Sequence, residues 1–218
     1  MRISELGRRS GLPVATIKFY LREGLLPPGA RTARNQANYD EGHLSRLQLI
    51  QVLTVVGRFS LASVRGILAA IDDREMSLAG LCAAVNDALF AALPPTPDEP
   101  AEVGRLRGQV DECISRLGWQ VDPRAPARSA LVQVLVALRE LDDQFDMDYL
   151  APYVRAADRL SAYDIESLSG ETATEALASA WVARLVLFEA AFTALRALAQ
   201  EHQLALRAQG GIGGSHAE

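Results

Sequence analysis

The stretch GLPVATIKFYLREGLLPPG, residues 11–29, reads as a short helix fenced by helix breakers. Gly11 and Pro13 stand in front of it, and Gly24 and the Pro27-Pro28-Gly29 cluster stand behind. A 3.6-residue repeat puts Ile17, Tyr20 and Leu21 on one face, leaving Val14, Ala15, Lys18, Phe19 and Arg22 outward. Upstream, Ser4 is the expected N-cap of a helix over residues 4–10, with Glu5 in its first turn and Gly11 closing it. Leu12 bridges the two helices. Two short helices joined by a tight turn containing glycine are a helix-turn-helix signature.

Outward from this pair, the chain reads as helix almost throughout. The segment GARTARNQANYD, residues 29–40, is a polar loop bearing two arginines. A third helix is predicted from about 40 to 56, and a fourth, capped by Ser60, through about 71 with Leu61, Val64, Ile67, Leu68 and Ile71 as its apolar stripe. An alanine-rich helix over 77–92 ends at LPPTPDEP, a proline-rich hinge at 93–100. Beyond the hinge, Val103, Leu106, Val110, Cys113 and Leu117 step by 3 and 4 residues. Such a seam suits either a coiled coil with a second copy or one amphipathic helix packing within the chain. Helices are expected at about 127–142, up to about 162, and at 171–206. In the last, Trp181, Leu185, Phe188, Phe192 and Leu195 form a stripe, and the glycine-rich tail at 209–218 is expected to be disordered.

The 218 residues are 49% hydrophobic, enough to bury a core in one large or two small domains. No run of 18 uncharged apolar residues occurs, and the first 30 residues lack a signal-peptide pattern. The expected setting is therefore the cytoplasm, with no membrane partner. Cys82 and Cys113 form no CxxC or Cys/His cluster, so neither structural zinc nor a disulfide framework is expected. The net charge of −5 hides an asymmetry: residues 1–75 carry eleven Lys and Arg against seven Asp and Glu, whereas residues 76–218 carry eleven against twenty. A basic head on an acidic body suits an anionic partner at one end, with nucleic acid the leading candidate.

Residues 1 to about 70 resemble the DNA-binding domain of the MerR family of transcriptional regulators. The resemblance rests on ISELGRRSGLPVATIKFYLREGLLPP, on Tyr39-Asp40-Glu41, and on LSRLQLIQVLTVVGRFSLASVRGIL, in family order and spacing. It implies a mainly all-α fold: a winged helix-turn-helix head with a small β wing at 1–73, a connecting segment and antiparallel dimerisation helix at 74–120, and a helical effector domain at 121–208. It also implies double-stranded DNA as partner, a homodimer, and an indirect effect on RNA polymerase at the promoter, in the cytoplasm on the nucleoid. In a recognition helix of this kind, Val14 and Ala15 at the N-terminal end suit thymine methyls, and Lys18 and Arg22 suit phosphates. Phe19 stands where family members often have tyrosine. Arg31, Arg34 and Tyr39 belong to the loop that corresponds to the wing, and Ala37 stands where the family commonly carries arginine.

Metal-sensing members use cysteines at the start of the dimerisation helix and just beyond it. This chain has no such pair, so soft-metal sensing is not expected. Trp119, Phe145, Tyr149, Tyr153, Tyr163 and Trp181, near several carboxylates, are candidates to line an apolar pocket for a small organic ligand. The competing expectation is that these aromatics are the core of a helical domain. A rival class comes from DDQFD: Asp142, Asp143 and Asp146 have the spacing of the carboxylate motif by which helical prenyl-diphosphate enzymes hold Mg²⁺. No second such motif appears, so no enzyme, catalytic residue, resident metal or cofactor is expected. An effector-free architectural binder or a plain repressor are the other readings.

Overall fold

The computed structural model describes residues 1–33, 36–91, 101–142, 144–166 and 175–212. Helix α1 (Ile3–Ser10) ends where Gly11 adopts the left-handed conformation, φ 71°, and returns its N–H to the Gly7 carbonyl. An L side chain at that φ would be strained, which is why the turn carries glycine. The start differs from expectation. Ser4 lies inside the helix, whose N-cap is Arg2, and no side chain caps it. Helix α2 (Val14–Arg22) follows from Pro13, with Ile17 and Tyr20 buried.

The polar loop forms a hairpin of β1 (Ala30–Ala33) and β2 (Gln36–Asn38). Its strands pair antiparallel, Ala30 with Asn38 and Arg31 with Ala37, with a register shift between Arg31 and Ala33. Asp40 then opens α3 (Glu41–Gln51) through a capping box: its carboxylate accepts the His43 backbone N–H at 3.1 Å, while the His43 ring faces the Asp40 N–H.

The third helix was expected to run unbroken to about residue 56. Instead α3 stops at Gln51 and the chain widens into a π-helical turn, Val52–Val56. The Thr54 hydroxyl donates to the Ile50 carbonyl at 2.7 Å, a side-chain bond that competes for the acceptor of the helical ladder. Just beyond, Arg58 sits at φ 54°, the one non-glycine residue at positive φ among those described.

The remaining elements are α4 (Leu61–Asp72), α5 (Leu78–Phe90), α6 (Ala101–Leu117), α7 (Pro126–Leu141), a 3₁₀ turn (Asp148–Leu150), α8 (Ala151–Glu166) and α9 (Glu175–Ile212). The fold is thus mainly all-α with one small hairpin, as expected. Helix α9 runs past its expected end, so residues 209–212 are helical and not part of a disordered tail. The rest of that tail and the hinge at 93–100 lie outside the described residues. No described helix is long and apolar enough to cross a membrane.

By contacts the chain groups into two compact units, Met1–Ser60 with Ser179–Glu218, and Leu61–Ala178. In the first, Leu6, Ile17, Leu25, Leu26, Leu47, Ile50 and Leu53 are fully buried. Helix α9 belongs to that unit through Trp181, Val182 and Val186, all buried. Its seat is Gly57, where an added Cβ would lie 2.9 Å from the Leu53 carbonyl and 3.0 Å from Val186 Cγ1.

In the second unit, Val103, Leu106, Val110 and Cys113 of α6 are buried with Val132 and Leu135 of α7 and with Met147. This corrects the dimerisation expectation for those four positions. The seam is apolar because α7 covers it within the chain, and only Leu117, 41% exposed, remains open. Arg128 of α7 locks the pairing, donating to Asp111 Oδ1 and to the Val121 carbonyl.

Candidate nucleic-acid interface

Helix α2 is held from three sides before it presents anything. Leu6 of α1, Ile17 and Tyr20 of α2, and Leu47 and Ile50 of α3 form one buried layer. The Arg9 guanidinium ties α1 to Glu41 at the start of α3, at 2.5 Å and 2.9 Å. Arg46 Nε donates to the Leu25 carbonyl at 2.7 Å, fixing the turn that follows α2. Arg46 is a positioning residue that the sequence reading missed. Its signal was a lone arginine on a face otherwise given to leucines.

On the outward face, Ala15, Lys18 and Arg22 are exposed. Val14 is half-buried, its Cγ2 turned toward Gly7 of α1, so it divides its surface between core and solvent. Phe19 is also half-buried, packing on Tyr20 with ring centroids 5.7 Å apart. The Arg22 guanidinium lies 5.3 Å from the Phe19 ring centroid, a cation–π contact that restricts the arginine before any ligand arrives.

The hairpin adds Arg31, which is exposed. Arg34 lies outside the described residues. Tyr39 departs from its expected role as a DNA contact. It is only 8% exposed, its ring edge-on to His43 at 5.1 Å, and its carbonyl accepts from the Met1 amine. Its ring also faces Gly29, where a Cβ would come within 2.9 Å. Tyr39 supports the hairpin from beneath.

Electrostatics sharpen this picture at the rim. The Glu41 carboxyl is held below its ordinary range by its hydrogen bonds from Arg9, and Glu5 likewise by Arg8. Arg8 and Arg9 are thus partnered within the fold, whereas Lys18 and Arg31 have no ion pair among the described residues and Arg22 has only a 3.7 Å neighbour, Glu23.

The aromatic candidates are not gathered. Phe145 and Tyr149 meet edge-to-face at 4.4 Å. Trp119 donates its indole N–H to Asp158 at 2.8 Å, and Tyr149, Tyr153 and Tyr163 are largely exposed on the second unit. Trp181 is buried in the first unit and does not belong with them. The DDQFD acids have local work: Asp142 Oδ1 accepts from the Gln144 N–H, and Asp146 Oδ1 from the Asp148 and Tyr149 N–H groups. Asp143 lies outside the described residues. Among those described, no three His, Cys, Asp or Glu side chains gather in a metal-binding group.

Residues 1–71 match the family model of the MerR HTH family regulatory proteins. Along nearly its whole length the chain is similar to SCO5550, a candidate transcriptional regulator of Streptomyces coelicolor A3(2) whose crystal structure is known. The two are 34% identical, with a TM-score of 0.67, over 95% of this chain and 97% of that one. The chain belongs to the MerR family. Two curated relatives from Haemophilus influenzae (strain ATCC 51907 / DSM 11121 / KW20 / Rd) share its head. An HTH-type transcriptional regulator, ZntR homolog, is 44% identical over 50 residues, 23% of this chain and 37% of that protein. A probable heavy metal-dependent transcriptional regulator is 36% identical over 77 residues, 35% of this chain and 59% of that protein. The chain thus spans less than two thirds of the length of either. MerR-family regulators bind DNA and act as dimers, and α1–α2 with the hairpin is the helix-turn-helix head of this MerR-family transcriptional regulator.

Proposed function

We propose that this regulator acts as a homodimer on a pseudo-palindromic promoter operator, with α2 in the major groove and the hairpin on the adjacent backbone. The observation that carries the reading is the outward face of α2, where Ala15, Lys18 and Arg22 are exposed over a buried Ile17 and Tyr20. Small side chains at the N-terminal end admit base edges, and the cations further along reach phosphates. In the hairpin, Arg31 pairs directly with Ala37. Residues directly opposite in an antiparallel ladder share a face. Arg31 therefore supplies the guanidinium that the family commonly carries at the position of Ala37.

The head takes in residues 1–73, and control enters through the helical remainder, by distortion of the operator that changes how RNA polymerase meets the promoter. Such deformation costs on the order of 1–6 kcal/mol and is offset by backbone contacts. A small organic ligand is the effector this chain supports best, on the face of the second unit that carries Tyr149, Tyr153 and nearby carboxylates. The names of the two curated relatives attach zinc or heavy metals to those proteins. In this chain burial pushes the Cys82 thiol up, and Cys113 is sealed in the α6–α7 core, so neither readily offers the thiolate a soft metal needs. The site of action is the cytoplasm, on the nucleoid.

Fluorescence anisotropy with the promoter fragment upstream of its own coding sequence tests the reading. Tight binding with a two-fold footprint is the expected result, and equal affinity for random DNA at moderate salt would overturn it. Thermal-shift screens with organic cations, Zn²⁺ and Pb²⁺ identify the effector class. In vitro transcription separates an activator from a plain repressor.

A further inference from the structure

We propose that the outer half of α9 is a self-association surface on which a second copy of this chain docks as an antiparallel two-helix coil. The proposal takes from the functional reading only its expectation of a dimer, and it names where the dimer forms. From Ala191 to Ala208 every residue of α9 is exposed. At 1.5 Å per residue this stretch extends about 27 Å.

The exposure is not polar. On a helical wheel Leu187, Phe188, Phe192, Leu195, Leu198 and Leu206 share one half of the circumference with several alanines. Glu189, Arg196, Gln200 and Arg207 fall on the other half. Within the apolar arc, Phe188, Phe192, Leu195, Ala199, His202 and Leu206 step alternately by 4 and 3 residues, the repeat of a coiled-coil seam.

The six large apolar side chains of the arc are 41–64% exposed. They present on the order of 600 Å² per copy, and with the alanines between them they approach the roughly 800 Å² per partner of a stable interface. An open patch of this size is unusual on a monomer. A second copy is the fitting occupant, because family members act as dimers and the other heptad seam, on α6, is already covered by α7.

The inner half of α9 is rooted in the DNA-binding unit, with Val186 against Gly57. A parallel coil would bring both heads to one end. An antiparallel coil centred near Ala197 sends them to opposite ends, and it sets Leu195 against the partner's Ala199 and Phe192 against the partner's His202. Large side chains then meet smaller ones along the seam.

Sedimentation velocity of the full chain at tens of micromolar tests this. The wild type and Ala197→Glu, whose substitution lies on the opposite face, are expected to be dimers. Leu195→Glu places an unpaired charge in the seam and should weaken dimerisation by at least about 100-fold, with helical circular dichroism unchanged because the position is exposed. Nitroxides on Ala208→Cys, in a Cys82→Ser background, should lie about 33 Å apart in the antiparallel coil. A wild-type monomer, a Leu195→Glu variant that stays dimeric, or labels within about 15 Å would each overturn the proposal, as would a monomer that dimerises only around another protein. Anisotropy on the same samples keeps the two readings apart. Dimers that fail to bind DNA would defeat the functional reading alone, and monomers that bind tightly would defeat this one alone.

Discussion

Lys18 and Arg22 differ in how they are held, and that difference has measurable consequences. Lys18 is a free cation on a flexible stem, whereas Arg22 lies over the Phe19 ring. If each neutralises one phosphate, Lys18→Ala and Arg22→Ala should each lower the log–log salt slope of DNA binding by about 0.9. Phe19→Leu should weaken binding with the slope unchanged, because it frees Arg22 without removing its charge. Asp40 is the second point at this scale. Its hydrogen bond with His43 lowers its carboxyl below the ordinary value, so the folded state holds the proton less tightly than the unfolded one. The stability it contributes is fully present above the unfolded value of about 4, and is lost as pH falls through the lower folded value. Asp40→Ala should cost about 1 kcal/mol at neutral pH in urea titrations. Asp40→Asn should cost less, and its deficit should shrink toward pH 3. The exposed cations were legible in the sequence because position on so short a helix fixes what faces out. Tyr39 was not, because the burial of a phenol depends on partners such as Met1 and His43 that periodicity does not reveal.

At the scale of elements, the two heptad patterns show what a repeat can and cannot say. Both α6 and α9 carry the 3–4 spacing, and spacing alone identifies a face that must be covered without naming what covers it. On α6 the cover is α7, so Leu106→Ala should cost about 2–5 kcal/mol and Leu106→Asp should unfold Leu61–Ala178, not separate a dimer. Loss of helical signal before any change in sedimentation would bear this out. The π turn at Val52–Val56 was also hidden, since it depends on Thr54 reaching back to Ile50. Beside it, Gly57→Ala would put a methyl group within 3.0 Å of Val186 and Phe59. A loss of about 1–3 kcal/mol is expected, with faster hydrogen exchange confined to the first turns of the 179–212 segment.

For the whole molecule, the order of motifs made the head readable while the helical remainder stayed generic. Turn glycines, caps and outward cations are local features, and residues 1–71 carry enough of them to mark a family. Exposed tyrosines and a buried tryptophan were indistinguishable in sequence, so the six aromatics read as one pocket when Trp181 belongs with the head. Effector screening should accordingly give thermal shifts that Tyr149→Ala or Tyr153→Ala abolish and Trp181→Phe leaves in place.

The first unit is discontinuous, built from Met1–Ser60 and Ser179–Glu218 with the whole second unit strung between them. A ribosome adds about 5–20 residues per second, so roughly 6–24 s pass between completing the two halves of that unit. Throughout that interval the π turn and Gly57 wait without the helix that covers them, while residues 61–178 already have every partner of their own core. Domain order along a nascent chain is thus reversed: the part made in the middle finishes before the part begun first. Pulse-labelled hydrogen exchange on stalled ribosomes should find α6 and α7 protected when α3 is still open, and protection of α3 should rise only once residues beyond about 186 have cleared the exit tunnel.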